Sequence, residues 1–203
     1  HIVEERPLGT GGAVKQLQKI ISDRFLVFYG DTILDIDINE LIKFDNIEDS
    51  IATILVHPND HPYDSDLLDV DDKDHVINFS PKPHTDFGYK KNLVNAALYI
   101  LSPDVFNYIP DDRPSDFGKD IFPHLLSHKK KIRAYRSAEY IKDMGTPERF
   151  EKTKHDLVSG KVSRLNRTNK RKAVFLDRDG VINKEVGDLR NPDQFELIDE
   201  SAI

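Results

Sequence analysis

The chain has 203 residues, 29 Lys+Arg against 36 Asp+Glu for a net charge of −7, and neither Cys nor Trp. At 38% hydrophobic residues it is too apolar for a disordered chain and has no thiol for disulfide stapling, and no apolar run approaches the ~18 residues of a membrane-spanning helix. The acidic balance argues against a nucleic-acid binder, which needs basic surface to neutralise phosphates. Small anionic substrates would need local cations or a metal. His1-Ile2-Val3 shows neither an initiator Met nor a charged lead before an apolar stretch. No signal peptide is read, a cytoplasmic place is expected, and the start itself looks missing.

Taken in chain order, Gly9-Thr10-Gly11-Gly12 precedes Ala13, Val14, Leu17, Ile20 and Ile21 at helical spacing, which predicts a loop leading into an amphipathic helix. Residues 25–29 are short and continuously apolar, predicting a buried strand that ends at Gly30-Asp31. Ile38, Leu41 and Ile42 predict a short helix, and residues 51–56 a strand. The acidic turn 71–74 separates predicted strands at 67–70 and 76–79, and 93–101 reads as another strand. Ser102-Pro103 and Thr146-Pro147-Glu148 carry helix-start chemistry, a hydroxyl cap followed by proline at the first position. Phe117, Ile121, Leu125 and Leu126 mark one helical face, and Gly160 is placed to close the helix that Thr146 opens. The alternation of strand and helix periods predicts an α/β fold with a parallel sheet and crossover helices.

Six basic and no acidic residues fall between Lys161 and Lys172. The stretch reads most simply as a solvated tether, with a phosphate or nucleic-acid contact as the alternative. The division is then a first domain at 1–160, a linker at 161–171 and a second domain beginning at 172. Beyond the linker, 172–177 predicts another buried strand. Only about 30 residues follow, too few for an independent core, so the second domain reads as cut off.

Ligands gather at the carboxyl ends of strands in open sheets, and Asp31, Asp143 and Asp177 sit at such ends. Mg²⁺, which takes hard oxygen ligands and bridges to substrate phosphates, is the cation this placement suits. The 57–66 stretch, with His57, Asp60, His61, Asp64 and Asp66, could ligate a metal but reads more simply as a polar surface loop. His124 and His128, four apart, lack a third ligand. Asp116, Lys119 and Asp120 open a helix where a substrate role is possible.

The motifs Glu5-Arg-Pro-Leu-Gly-Thr-Gly-Gly-Ala13, Phe28-Tyr29-Gly30-Asp31, Ser80-Pro81-Lys82-Pro83, Val94-Asn95-Ala96-Ala97-Leu98-Tyr99 and Asp143-Met-Gly-Thr-Pro-Glu148, in this order over 1–160, resemble the sugar-1-phosphate nucleotidyltransferase family. The resemblance implies a Rossmann-like nucleotidyltransferase sheet that joins a nucleoside triphosphate to a sugar phosphate and releases pyrophosphate. It implies that Gly9, Thr10 and Gly11 hold the nucleobase, Asp31 and Asp143 hold Mg²⁺, Lys82 contacts the sugar phosphate and Asn95 the sugar. Pro81 stands where that family usually has Glu, and Ala97 where Gly is common.

Asp177-Arg-Asp-Gly-Val-Ile-Asn183 resembles the first motif of the haloacid dehalogenase superfamily, in the wording of the D-glycero-D-manno-heptose 1,7-bisphosphate and histidinol phosphatases. That implies Asp177 as nucleophile, Asp179 as acid/base, both beside Mg²⁺. Together the two resemblances imply one enzyme of nucleotide-activated heptose synthesis for surface glycans such as lipopolysaccharide. A GTP-dependent transfer to heptose 1-phosphate would be joined to a 7-phosphatase. The partners are then nucleoside triphosphate and sugar phosphate, with no nucleic acid and no membrane, and a homo-oligomer is left open. The alternatives are a mannose or glucose 1-phosphate transferase with an unrelated phosphatase, and a non-catalytic sugar-nucleotide-binding module.

Overall fold

The computed structural model describes residues 3–84, 90–111 and 113–198. Its contacts divide into two units, His1–Asn169 and Lys170–Ile203. Among the described residues, no helix is long and apolar enough to cross a membrane.

The first unit is built on β3 (Ala52–His57), whose side chains are buried on both faces up to its last residue. β3 pairs in parallel with β7 (Ile132–Arg136) and antiparallel with β6 (Val94–Leu101). The other edge of β6 is shared by β4 (Leu67–Val70) at Val94 and by β1 (Phe25–Phe28) along Leu98 to Leu101. β5 (Val76–Ser80) closes the edge as a hairpin with β4. The expected parallel sheet is therefore corrected: among the described strands of this sheet only β3 and β7 pair in parallel. The 71–74 turn is too short for a crossover, because Asp71 Oδ1 accepts from the backbone of both Lys73 and His75 and folds the chain straight back. β1 is not buried as expected but alternates, with Phe28 53% exposed.

Each sheet face carries a core. On one, Ile54, Val56, Tyr99 and Leu101 pack against Phe117, Ile121, Phe122 and Leu125. These come from a π-helical turn (Phe117–Ile121) running into α3 (Phe122–Ser127). On the other, Leu55, Leu98, Ile100 and Tyr135 pack against Leu41 of α2 (Ile38–Asp45) and against Ile36 and Ile141. Ile36 follows and Ile141 lies within a separate two-stranded ladder, β2 (Thr32–Asp35) with β8 (Tyr140–Asp143). α4 (Pro147–Val158) starts where Thr146 Oγ1 accepts from Arg149 N, and Gly160 at φ +73° stops it.

Two further expectations change. α1 (Gly9–Lys15) begins inside the glycine cluster rather than after it, and the chain passes into turns beyond Lys15. The tether is in part structured: α5 (Lys161–Leu165) buries Val162, and Asn166 donates to Asp35 Oδ1 at 2.6 Å. Arg167 N–H donates to Glu139 and its guanidinium to Tyr135 Oη at 2.7 Å. Two of the basic residues dock as well, Arg167 as above and Lys161 through its ammonium on Asp156 at 3.0 Å.

In the second unit, 172–177 forms no strand, and Phe175 is 95% exposed. A strand's backbone groups need a partner, and no other strand is present among this unit's described residues. Order there centres on Asn183, fully buried, which donates to Lys184 O and accepts from Glu196 N, each at 2.6 Å.

Candidate active site

The β2–β8 ladder brings two distant acids together. Thr32 lies opposite Asp143, and Met144 N donates to Asp31 O at 2.8 Å, so residues 31 and 143 are backbone neighbours across the ladder. Both line a cavity of about 650 Å³ in the first unit, together with Lys82 and Asn95.

The 57–66 loop, expected at the surface, forms one wall of this cavity. Asp60 accepts from Lys142 at 2.8 Å and from Lys152 at 2.7 Å. The Lys142 ammonium, then that of Lys152, holds the Asp60 carboxyl well below the usual carboxylate range. Arg149 spreads its fork over two acids, with Nη1 on Asp143 Oδ1 at 2.8 Å and Nη2 on Asp64 Oδ2 at 3.2 Å. Burial alone would raise the Asp143 carboxyl, but the Arg149 contact and the Gly145 N–H bring it below its ordinary value. Burial, then the charge of Lys142, lowers the His57 imidazole to about 4. The ring lines the cavity in its neutral form.

Lys82 Nζ donates to Asp64 O at 3.2 Å, and its backbone N–H to Asp66 at 3.0 Å. Asn95 donates to the buried Tyr99 Oη at 3.0 Å and accepts from Ala97 N. The Tyr99 phenol, wholly buried, is pushed well above 10, and burial pushes Tyr29 up to about 12. These hydroxyls stay protonated and serve as hydrogen-bonding fixtures.

The glycine motif is placed differently. Gly9, Thr10 and Gly11 are absent from the cavity wall. Gly11 N donates to Ser115 O at 2.8 Å, and a Cβ on Gly9 would lie 2.5 Å from that same oxygen. Thr10 Oγ1 donates to Asp116 at 2.9 Å and accepts from Phe117 N. The glycines thus allow two backbones to touch, and Thr10 reaches the cavity through Asp116. Lys119 and Asp120 do not line it.

In the second unit, Arg178 grips both oxygens of Asp179, at 2.9 and 2.7 Å, and draws its carboxyl below the ordinary value. Asp177 is exposed and accepts from Arg178 N at 2.8 Å. His124 and His128 meet Tyr108 and each other edge-to-face on the surface. Among the described residues no three His, Asp or Glu side chains converge as a metal cage. A pair of acids completed by substrate oxygens is nevertheless the ordinary way Mg²⁺ is held. Asp31 and Asp143 fit that donor set.

The profile described as "Nucleotidyl transferase" matches residues 1–160. The chain belongs to the nucleotidyl transferase family. A relative in that family, the D-glycero-alpha-D-manno-heptose 1-phosphate guanylyltransferase of Campylobacter jejuni, is 34% identical over 150 residues, covering 74% of this chain and 63% of its own. The mannose-1-phosphate guanylyltransferase of Mycobacterium tuberculosis is 33% identical over 165 residues, 79% of this chain and 44% of its own. The chain spans less than two thirds of the length of these curated relatives. Among solved structures, HddC from Yersinia pseudotuberculosis superposes at TM-score 0.63 with 30% identity, covering 77% of this chain and 65% of that one. It has also been solved in complex with GMP-PN, at TM-score 0.62.

The sequence pointed to Asp31, Asp143, Lys82 and Asn95, and the fold brings all four to one cavity. It did not point to Lys142, Arg149 and Lys152. The signal available was the spacing of Arg149, Lys152 and Asp156, which puts three charges on one face of α4.

Proposed function

We propose that this chain carries the acceptor side of a nucleotidyl transfer from a nucleoside triphosphate, GTP first, to a sugar 1-phosphate, D-glycero-D-manno-heptose 1-phosphate first. An oxygen of the sugar phosphate attacks the α-phosphorus, a new P–O bond forms, and the bond to the leaving pyrophosphate breaks. The observation that carries this reading is the meeting of Asp31 and Asp143 across the β2–β8 ladder, at a cavity that Lys82 also lines. Those two acids would hold Mg²⁺, which when bound supplies the charge neutralisation an in-line displacement needs. Lys82, a compact cation on a flexible stem, would hold the sugar phosphate. Asn95 would present its amide to the sugar, and Thr10 would act on the base side through Asp116. The heptose choice is supported by the activity for which the Campylobacter relative is named and by the wording of 177–183. A second reading, mannose 1-phosphate, is favoured by the Mycobacterium relative.

The proposal extends to the second unit as the opening of a heptose-bisphosphate 7-phosphatase, with Asp177 as nucleophile and Asp179, released from Arg178, as acid/base beside Mg²⁺. Such an enzyme would act in the cytoplasm. Pyrophosphate release by the full-length protein, across heptose, mannose and glucose 1-phosphates and four nucleoside triphosphates, tests the transfer. We expect heptose with GTP to lead, and Asp31→Asn and Asp143→Asn each to lower kcat/KM by about 100-fold or more, the cost of losing one preorganised charge. Mannose in the lead would replace the heptose reading, and two active Asn variants would sink the metal pair.

A further inference from the structure

The carboxylate of Asp64 sits between two cations from separate parts of the chain. Arg149 Nη2 on α4 is 3.2 Å from Oδ2, and Lys82 Nζ is 3.7 Å from Oδ1. Asp64 is otherwise a surface residue, its side chain 65% exposed. Exposed ion pairs hold weakly, so this carboxylate is easily displaced. The guanidinium is also not spent on it, because its other nitrogen stays on Asp143 at 2.8 Å. A planar fork and a point-like ammonium converging from two sides suit a tetrahedral dianion better than a carboxylate, since it offers a third oxygen and a second charge.

We propose that Arg149 and Lys82 form a two-cation seat for the substrate's phosphate, and that Asp64 occupies this seat until the phosphate arrives. This deepens the role given to Lys82 above and rests on it. Arg149 would then touch the phosphate with one nitrogen while holding the Asp143 carboxylate with the other, so that substrate binding and the orientation of Asp143 share one side chain. The neighbouring acid, Asp60, is held by a different pair of cations, Lys142 and Lys152. It supplies a control of equal charge on the same loop.

The test is calorimetric titration of the full chain with inorganic phosphate, without Mg²⁺, so that turnover plays no part. Arg149→Met and Lys82→Met should each weaken phosphate about tenfold, the scale of one charge-assisted hydrogen bond. Asp64→Asn should tighten it several-fold, a gain that a merely structural residue would not produce, while Asp60→Asn should leave it unchanged. Phosphate binding weakened by Lys82→Met but untouched by Arg149→Met would overturn the seat and leave the reading of Lys82 standing. Indifference to both would sink both. Equal gains from Asp64→Asn and Asp60→Asn would reduce the effect to net charge and overturn the proposal, as would acetate competing as well as phosphate.

Discussion

Ala97 holds φ +55° where the β3–β6 register slips between Ile54 and Val56. A left-handed backbone costs an L-residue about 1–2 kcal/mol, of which glycine's greater freedom when unfolded gives back part. Ala97→Gly should therefore raise stability by about 0.5–1 kcal/mol in urea titrations; a loss would show that the methyl packs usefully. Glycine is common at this position in the family that the sequence resembles, and the bulge gives the physical reason. His57 sets a pH dependence. Its imidazole is lowered to about 4 when folded, against an ordinary value near 6.5. Between those values the unfolded chain binds the extra proton, so stability falls as pH drops from about 6.5 to 4 and levels off below. Melting temperatures of His57→Gln across that window should slope less than those of the parent; parallel slopes would remove His57 as a source. Asp31 and Asp143 were legible because an acid at a strand end, next to Gly30 in one case and two residues before Gly145 in the other, is a local pattern. Lys142 was not, because a single basic residue looks the same whether it faces solvent or a cavity, and Arg149 showed itself only in its spacing with Lys152 and Asp156.

Elements were legible wherever their chemistry is local. The hydroxyl of Ser102 caps a 3-10 turn (Pro103–Tyr108), Thr146 caps α4, and Asp71 organises the β4–β5 hairpin. Strand direction was not legible, since pairing depends on partners some 40 to 80 residues away. The basic stretch also misled, because charge density masked the docking residues between the charges. That docking is testable. Asn166 is buried and joins α5 to β2 through Asp35, a hydrogen bond to a charged acceptor worth about 1.5–3 kcal/mol. Asn166→Ala should lower stability by an amount in that range while leaving the far-ultraviolet circular dichroism unchanged. A neutral result would return this segment to the solvated tether read from the sequence.

At the scale of the whole molecule the contacts part between Asn169 and Lys170, nine residues beyond the end of the first domain as read from the sequence. A chain ending at residue 169 should melt with the parent. One ending at 160 gives up Val162 and Asn166 and should melt roughly 5 °C lower, at 2–4 °C per kcal/mol for this size. Equal melting of all three would make 161–169 dispensable to the first unit. The motif order along 1–160 made this unit's family readable, because several short patterns in sequence specify more than any one. The second unit was read from the 177–183 motif and from a strand before it, and the strand does not form, since an apolar run states a need for a partner and cannot supply one. The rung from Met144 to Asp31 has a mechanical outcome. Two backbones riveted as adjacent rails of one ribbon travel as a single piece, however widely the cleft around them gapes. What an arriving cargo could still turn is the Asp143 side chain in the grip of Arg149, so the mounting is preset and only the aim of one carboxylate would be left to adjust.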